Sequence, residues 1–164
     1  MIALDVHYGE VVRGAAVAFA DPAGAEKADF EIVETFDGTA EPYVPGEFKK
    51  RELPFLLKLL GSAKEHATDV VLVDGYVQLG EDRPGLGAHL HAALEGRCAV
   101  IGVAKTKFNG ATSIRIVRGA STSPLFITAI GMEPKAAAEL VRTMHGPHRI
   151  PTLLRRVDQL SRGL

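Results

Sequence analysis

The sequence holds a single cysteine, Cys98, so no internal disulfide can form. Cys98 precedes the apolar run Ala99–Val103, which reads as a buried core thiol and fits a reducing compartment. One cysteine and scattered histidines do not make a zinc site. No run of 18 or more apolar residues occurs, so no spanning helix is expected. The first residues lack the basic flank and small-residue cleavage site of a signal peptide, and a cytoplasmic protein is expected. A formal net charge of −1 excludes a broadly basic nucleic-acid coat. It leaves open a site in which a metal ion and a few cations hold one phosphate. There is no repeat, low-complexity tract or linker. With 164 residues, 46% hydrophobic and 24% charged, the chain reads as one globular domain, 1–164.

What is present is a sequence of short periodic segments. Ile2, Leu4 and Val6 alternate with Ala3 and Asp5, giving a first strand. Val11–Phe19 forms a second strand after the Tyr8-Gly9-Glu10 turn, and Phe30–Phe36 a third, in an antiparallel meander. Residues 37–46 are a Gly- and Pro-containing loop. A helix is expected next, with Pro54 at its first position and Leu53, Leu56, Leu57 and Leu60 on its buried face. Val70–Val73 and Ala99–Val103 are continuous apolar runs, the pattern of strands covered on both faces. Between them a helix starts near Pro84, with Leu86, Leu90 and Leu94 on one face. A polar hairpin arm is expected near Ser113–Val117 and Leu125–Ala129. Two helices opened by Pro134 and Pro151 close the chain. Three antiparallel strands followed by parallel strands joined through flanking helices give an α/β, ribonuclease-H-like mixed sheet.

Four carboxylates sit at special positions in this order. Asp5 is the only charge in the first strand, and Asp74 ends a covered strand, where ligands gather in open α/β sheets. Glu52 lies near a helix start, and Asp158 on the last helix. Each has an ordinary alternative. Asp5 can bond the turn after it, Asp74-Gly75 is a common turn, Glu52 can cap a helix, and Asp158 can pair with Arg155 or Arg162. Together they form an oxygen donor set of the kind that Mg²⁺ or Mn²⁺ takes. With the first and fourth strands adjacent, Asp5 and Asp74 would meet at the centre of the sheet.

Several stretches resemble the endonuclease V family. They are Asp5-Val6-His7-Tyr8, Pro42-Tyr43-Val44-Pro45-Gly46 with Arg51-Glu52, Val73-Asp74-Gly75, Gly85-Leu86 with His89-Leu90, Ile101-Gly102-Val103-Ala104-Lys105, and Arg149-Ile150-Pro151. They follow the family order and span nearly the whole chain. The resemblance implies a ribonuclease-H-like, Mg²⁺- or Mn²⁺-dependent endonuclease. It would nick inosine-containing DNA, with RNA as the other candidate, at the second phosphodiester 3′ to the lesion, in DNA repair, by metal-activated water. It implies Asp5, Glu52, Asp74 and Asp158 as metal ligands, with Lys105 near the scissile phosphate and His89 close to the site. Tyr43, Pro45 and Gly46 would belong to a wedge beside the lesion, and Gly85 and Leu86 to the substrate site. A monomer without membrane contact is expected.

The sequence also departs from the family. Gly80-Glu81-Asp82 stands where His-Pro-Arg is usual, Met132 where a histidine is usual, and Thr152-Leu153-Leu154 where Glu-Pro-Thr is usual. The chain starts at its first strand, without the family's N-terminal helical extension. These departures motivate a second function, a catalytically weak nucleic-acid-binding module, and a third is a nuclease of the same fold for branched or flapped structures. Lys49-Lys50-Arg51 reads either as the best local phosphate-tracking patch or as a solvated helix start. His91 faces elsewhere on its helix from His89, and His7, His66, His145 and His148 read as surface or cap residues.

Overall fold

The computed structural model describes residues 1–36, 48–63 and 68–164, with the backbone alone for 48–51. The first three strands are β1 (Ile2–Tyr8), β2 (Val12–Ala18) and β3 (Phe30–Phe36); β3 alternates between half-buried and exposed residues, while β2 is buried at all but one position. They pair as an antiparallel meander, with Asp5 opposite Ala15. Helix α1 (Phe48–Ser62) leads to β4 (Val70–Asp74). A small ribbon of β5 (Gln78–Gly80) and β6 (Arg83–Pro84) precedes α2 (Leu86–Ala93) and β7 (Ala99–Ala104). Then come β8 (Ile114–Ile116), β9 (Leu125–Ile130), α3 (Pro134–Thr143) and α4 (Thr152–Arg162).

Seven strands form one sheet in the order β3-β2-β1-β4-β7-β9-β8. The β1–β4 and β4–β7 pairs are parallel, as the covered apolar runs predict. The last two strands correct the expectation of a polar arm. β9 lies antiparallel to β7, and Leu125 and Ile127 are buried, so this hairpin extends the main sheet. No described helix is long and apolar enough to cross a membrane.

Both faces of the sheet are covered. Ala3, Leu72, Ile101 and Val103 point to one side, where they pack with Val141 of α3 and with Leu153 and Val157 of α4. Leu4, Val71, Val73 and Val100 point to the other, against Leu56 and Leu59 of α1 and Leu90 of α2. Helix α1 differs from the expected one. It begins at Phe48, so Pro54 lies inside it on an exposed side rather than at its first position. Its fully buried side chains are Leu56 and Leu59, with Leu53, Leu57 and Leu60 half-buried, and Ala63 just beyond its end is buried too. Glu52 is therefore in the second turn of the helix, not at a cap. Cys98 is half-buried rather than a core thiol, and its Sγ donates to the Thr68 carbonyl.

Arg118 is the chief buried charge. It is 5% exposed. Its guanidinium donates to the carbonyls of Arg142, Met144, Gly146 and His148, at and beyond the end of α3. Helix carbonyls left over at a C-terminus favour such a cation. This clamp fixes the turn between α3 and α4, and with it the approach of α4 to the sheet.

Candidate active site

Period-two alternation decides which strand residues share a face. Asp5 follows Ala3, Asp74 follows Leu72, and Lys105 follows Val103, so all three side chains belong to the face covered by α4. Leu4 and Val73 form the last paired rung of β1 and β4, which brings the next residues, Asp5 and Asp74, side by side. Lys105 leaves the end of β7, next to Asp74 on the neighbouring strand. Asp158 descends on the same cluster from α4, one residue after the buried Val157.

The four groups are in electrostatic contact. Lys105 Nζ donates to Asp74 Oδ2 at 2.6 Å and lies 3.8 Å from Asp158 Oδ1. Asp158 also accepts from Arg162 Nε at 3.1 Å, so the ion pair foreseen for Asp158 exists alongside its place in the cluster. Burial pushes the Asp5 carboxyl above its ordinary range. The Ser161 hydroxyl works against this, and the charges of Asp74 and Asp158 add to it. Lys105 is pushed the other way by burial, yet its hydrogen bond to Asp74 and the three carboxylate charges win and hold its pKa above the usual value. Lys105 therefore stays an ammonium at neutral pH.

The turn after Asp74 is built by two glycines. Gly75 has φ +127°, a conformation that side-chain-bearing residues rarely adopt. A Cβ at Gly102 would stand 2.5 Å from the Gly75 carbonyl and 2.9 Å from the Val77 nitrogen. Gly102 thus lets residues 75–77 lie directly on β7. Thr128 Oγ1 accepts from Val77 N at 2.8 Å and fixes the same stretch from β9. Tyr76 then reaches the loop after Lys105. Its hydroxyl donates to the Thr106 carbonyl and accepts from Phe108 N, at 2.8 and 2.9 Å. The Arg149 guanidinium donates to the Lys105 carbonyl and to the Pro124 carbonyl.

A cleft of about 770 Å³ opens over the carboxyl edge of the sheet. Asp5, Glu52, Asp74, Lys105, Asp158, His89, Gly85 and Leu86 all line it. Glu52 and His89 come from α1 and α2, on the opposite layer from the Asp5–Asp74–Asp158 group, and meet it across the sheet edge. Tyr43, Pro45 and Gly46 lie outside the described residues, as does His66, and the side chains of Lys49, Lys50 and Arg51 are likewise not described. Glu81 and Asp82 are exposed at the turn of the β5–β6 ribbon. The cleft receives Arg83 instead, whose guanidinium lies 5.7 Å from the Phe108 ring centre. The acidic departure in the sequence is thus followed at once by a cation facing the cleft. His7, expected at the surface, also lines it.

A smaller cavity of about 30 Å³ lies beneath, on the α4 side. Its polar lining is Asp5, Asp74, Lys105 and Asp158, and apolar residues such as Leu72, Val103 and Val157 make up the rest. It has room for one ion or water. Among the described residues no three Asp, Glu, His or Cys side chains close on one point as a ready metal cage. Mg²⁺ does not require one, since it is usually held by one or two carboxylates with water and phosphate oxygens. Hard oxygen donors, with an ammonium already standing among them as a cation, fit such an ion.

Sequence reasoning missed Ser161, Tyr76, Thr128 and Gly102. Ser161 had a signal: it is a polar residue on the buried stripe of Leu153 and Val157. Gly102 is a glycine inside a covered apolar run, which marks close backbone approach, whereas Tyr76 and Thr128 act through contacts between distant segments and gave none.

Endonuclease V of Rhodospirillum centenum is 30% identical over 145 residues, which are 73% of this chain and 58% of that protein. Endonuclease V of a Nostoc species is 25% identical over 177 residues, 93% of this chain and 76% of its own length. Among solved structures, Ciona intestinalis endonuclease V in complex with a 23mer DNA containing an inosine followed by a ribo-adenosine shares the fold. Its TM-score is 0.82 at 19% identity, over 99% of this chain and 83% of that one. The family's sequence profile, Endonuclease V, matches residues 2–132, from the first strand past β9. That span holds Asp5, Glu52, Asp74, His89 and Lys105, and with the ribonuclease-H-like sheet it makes the chain an endonuclease that belongs to the Endonuclease V family.

Proposed function

We propose that this endonuclease nicks inosine-containing DNA in repair, using a divalent cation held at the edge of the sheet by Asp5 and Asp74, with Glu52 and Asp158 completing the site. The observation that carries this reading is the convergence of Asp5, Asp74, Asp158 and Lys105 on one small, otherwise apolar cavity under an open cleft. When bound, Mg²⁺ or Mn²⁺ supplies Lewis acidity, which activates a water and offsets charge on the phosphate.

The chain's own residues do the rest. The described cleft lining carries four carboxylates (Asp5, Glu52, Asp74, Asp158) and four cations (Arg83, Lys105, Lys107, Arg162), so its formal charge is zero with neutral histidines. With a divalent cation bound, this balanced lining would become net positive, which would suit a phosphodiester far better than the metal-free protein does. Lys105 then exchanges its bond to Asp74 for a non-bridging phosphate oxygen and neutralises charge that builds in the transition state. Water attacks phosphorus, the bond to the 3′-oxygen breaks, and the ends are a 3′-hydroxyl and a 5′-phosphate. His89 approaches the phosphate from α2. Gly85 and Leu86 form the wall on which the extruded nucleotide rests, and the segment containing Tyr43, Pro45 and Gly46 leads into α1 as the wedge. A strand with a ribonucleotide directly 3′ to the inosine, whose own 3′ phosphodiester is the second one after the lesion, is the second substrate, favoured by the 23mer DNA with an inosine followed by a ribo-adenosine in the Ciona structure.

The test is a nicking assay on labelled duplexes carrying inosine, inosine followed by a ribonucleotide, adenine, or an inosine-free flap, with Mg²⁺, Mn²⁺ or chelator. Metal-dependent nicking of the inosine strands, abolished by Asp74→Ala, is expected. Cleavage of the flap alone, or binding without cleavage that ignores loss of Asp74, would refute the proposal.

A further inference from the structure

We propose that Ser161 is a positioning residue that fixes the Asp5 carboxylate for metal binding and locks α4, with Asp158, to the first strand. The inference rests on the metal site proposed above.

Ser161 is fully buried, 0% exposed, in the last turn of α4. It cannot touch nucleic acid. Its hydroxyl donates to Asp5 Oδ2 across 156 residues of sequence. The same oxygen lies 2.9 Å from the Asp158 backbone carbonyl, the ordinary resting partner of a helical serine. One hydroxyl has one proton. The carboxylate is the stronger acceptor and the closer contact, so the proton goes to Asp5. With Oδ2 held, the carboxylate cannot rotate freely, so the lone pairs left on Oδ1 and Oδ2 keep fixed directions toward a ligand.

The position is also specific. Residues 157 and 161 are one helical turn apart on the buried stripe of α4, where an apolar side chain would pack better. A hydroxyl there costs desolvation unless it is paired. The pairing it makes joins the two elements that bring Asp5 and Asp158 to the same cavity. A hydrogen-bond donor behind a ligating carboxylate sets its orientation, and removing such partners commonly weakens metal affinity by about ten- to a hundredfold.

The test is Mn²⁺ titration of the full chain without nucleic acid, following free Mn²⁺ by electron paramagnetic resonance. Wild type, Ser161→Ala, Asp5→Asn and the double variant are compared, with thermal unfolding in chelator to verify folding. Ser161→Ala should weaken Mn²⁺ binding about tenfold or more. In the Asp5→Asn background it should change affinity by no more than about twofold, because the hydroxyl acts through Asp5. Should Ser161→Ala not fold, Ser161→Thr and Ser161→Val replace it, since they share one volume and differ in the hydroxyl. Thr should then bind Mn²⁺ about tenfold more tightly than Val. Equal affinity of wild type and Ser161→Ala, of Thr and Val, or an equal loss in both Asp5 backgrounds would overturn the inference while the metal site stands. Absence of any Asp5-dependent Mn²⁺ binding in wild type would overturn both.

Discussion

Asp5→Asn is expected to abolish cleavage, by on the order of a thousandfold or more, while making the metal-free protein more stable at neutral pH. The two effects have one cause. Burial disfavours the charged form of Asp5, and the nearby charges of Asp74 and Asp158 disfavour it further. Ser161 and Lys105 recover only part of this, so the pKa is raised above 3.8 in the folded protein. The sign follows from linkage. A carboxyl whose folded pKa is above its unfolded one gives a stabilising contribution that is complete in acid, below the unfolded pKa. That contribution is lost as pH rises through the folded pKa. The Asp5 carboxyl therefore contributes less stability at neutral pH than in acid unless a cation is bound. Thermal unfolding in chelator should show Asp5→Asn above wild type at pH 7, with the gap shrinking in acid. Adding Mn²⁺ should raise the wild-type midpoint, as any ligand of the native state does, and raise that of the variant by clearly less, since Asp74 and the other carboxylates still bind the ion weakly. A variant less stable than wild type in chelator at pH 7 would contradict this description of Asp5.

Lys105→Met should lower turnover about 10²- to 10³-fold, the usual effect of removing one group that stabilises transition-state charge. Its effect on Mn²⁺ binding should have the opposite sign. In the metal-free protein Lys105 Nζ sits 2.6 Å from Asp74 Oδ2 and within 3.8 Å of Asp158 Oδ1, among the oxygens the ion would use. A cation must displace it. Without the ammonium, Mn²⁺ should bind more tightly in the absence of nucleic acid, while the metal-free protein becomes less stable through unrelieved carboxylate repulsion. Both Lys105 and Asp74 are partly exposed, so solvent screens this repulsion and the stability loss should be modest. Because the Lys105 pKa is held above its ordinary value of 10.5, lysine deprotonation should not shape the pH–rate profile near neutrality. Weaker Mn²⁺ binding by Lys105→Met would mean that the ammonium does not compete for the site.

Much of this arrangement was legible in the sequence because it depends on period two. Ala3 and Asp5, Leu72 and Asp74, Val103 and Lys105 alternate along apolar runs, and the crossover pattern makes β1, β4 and β7 neighbours. Those two facts alone put two carboxylates and a lysine on one face. The helices were harder. The approach to α1 runs through a Gly- and Pro-containing segment, and Pro54 reads as a first helical residue although Phe48 is the first. The α1 boundary misplaced Glu52 by a turn, and nothing in the sequence says that Glu52 and His89 reach the site from the opposite layer. The β8–β9 hairpin reads as an arm because polar residues surround it, while burial of Leu125 and Ile127 against β7 and α3 is a tertiary choice. Ser161 and Gly102 act through contacts with segments far away in the chain. For such residues a sequence shows at most that a small or polar side chain stands where a larger apolar one would pack.

Crystals soaked in Mn²⁺, with anomalous scattering recorded, test the shared cation most directly. One peak should lie about 2.0–2.3 Å from an oxygen of Asp5 and an oxygen of Asp74, the distance expected for a small hard dication, with Lys105 displaced from Asp74. A peak elsewhere, or none while the Lys105–Asp74 bond persists, would show that these carboxylates hold only each other's neighbours and no catalytic ion.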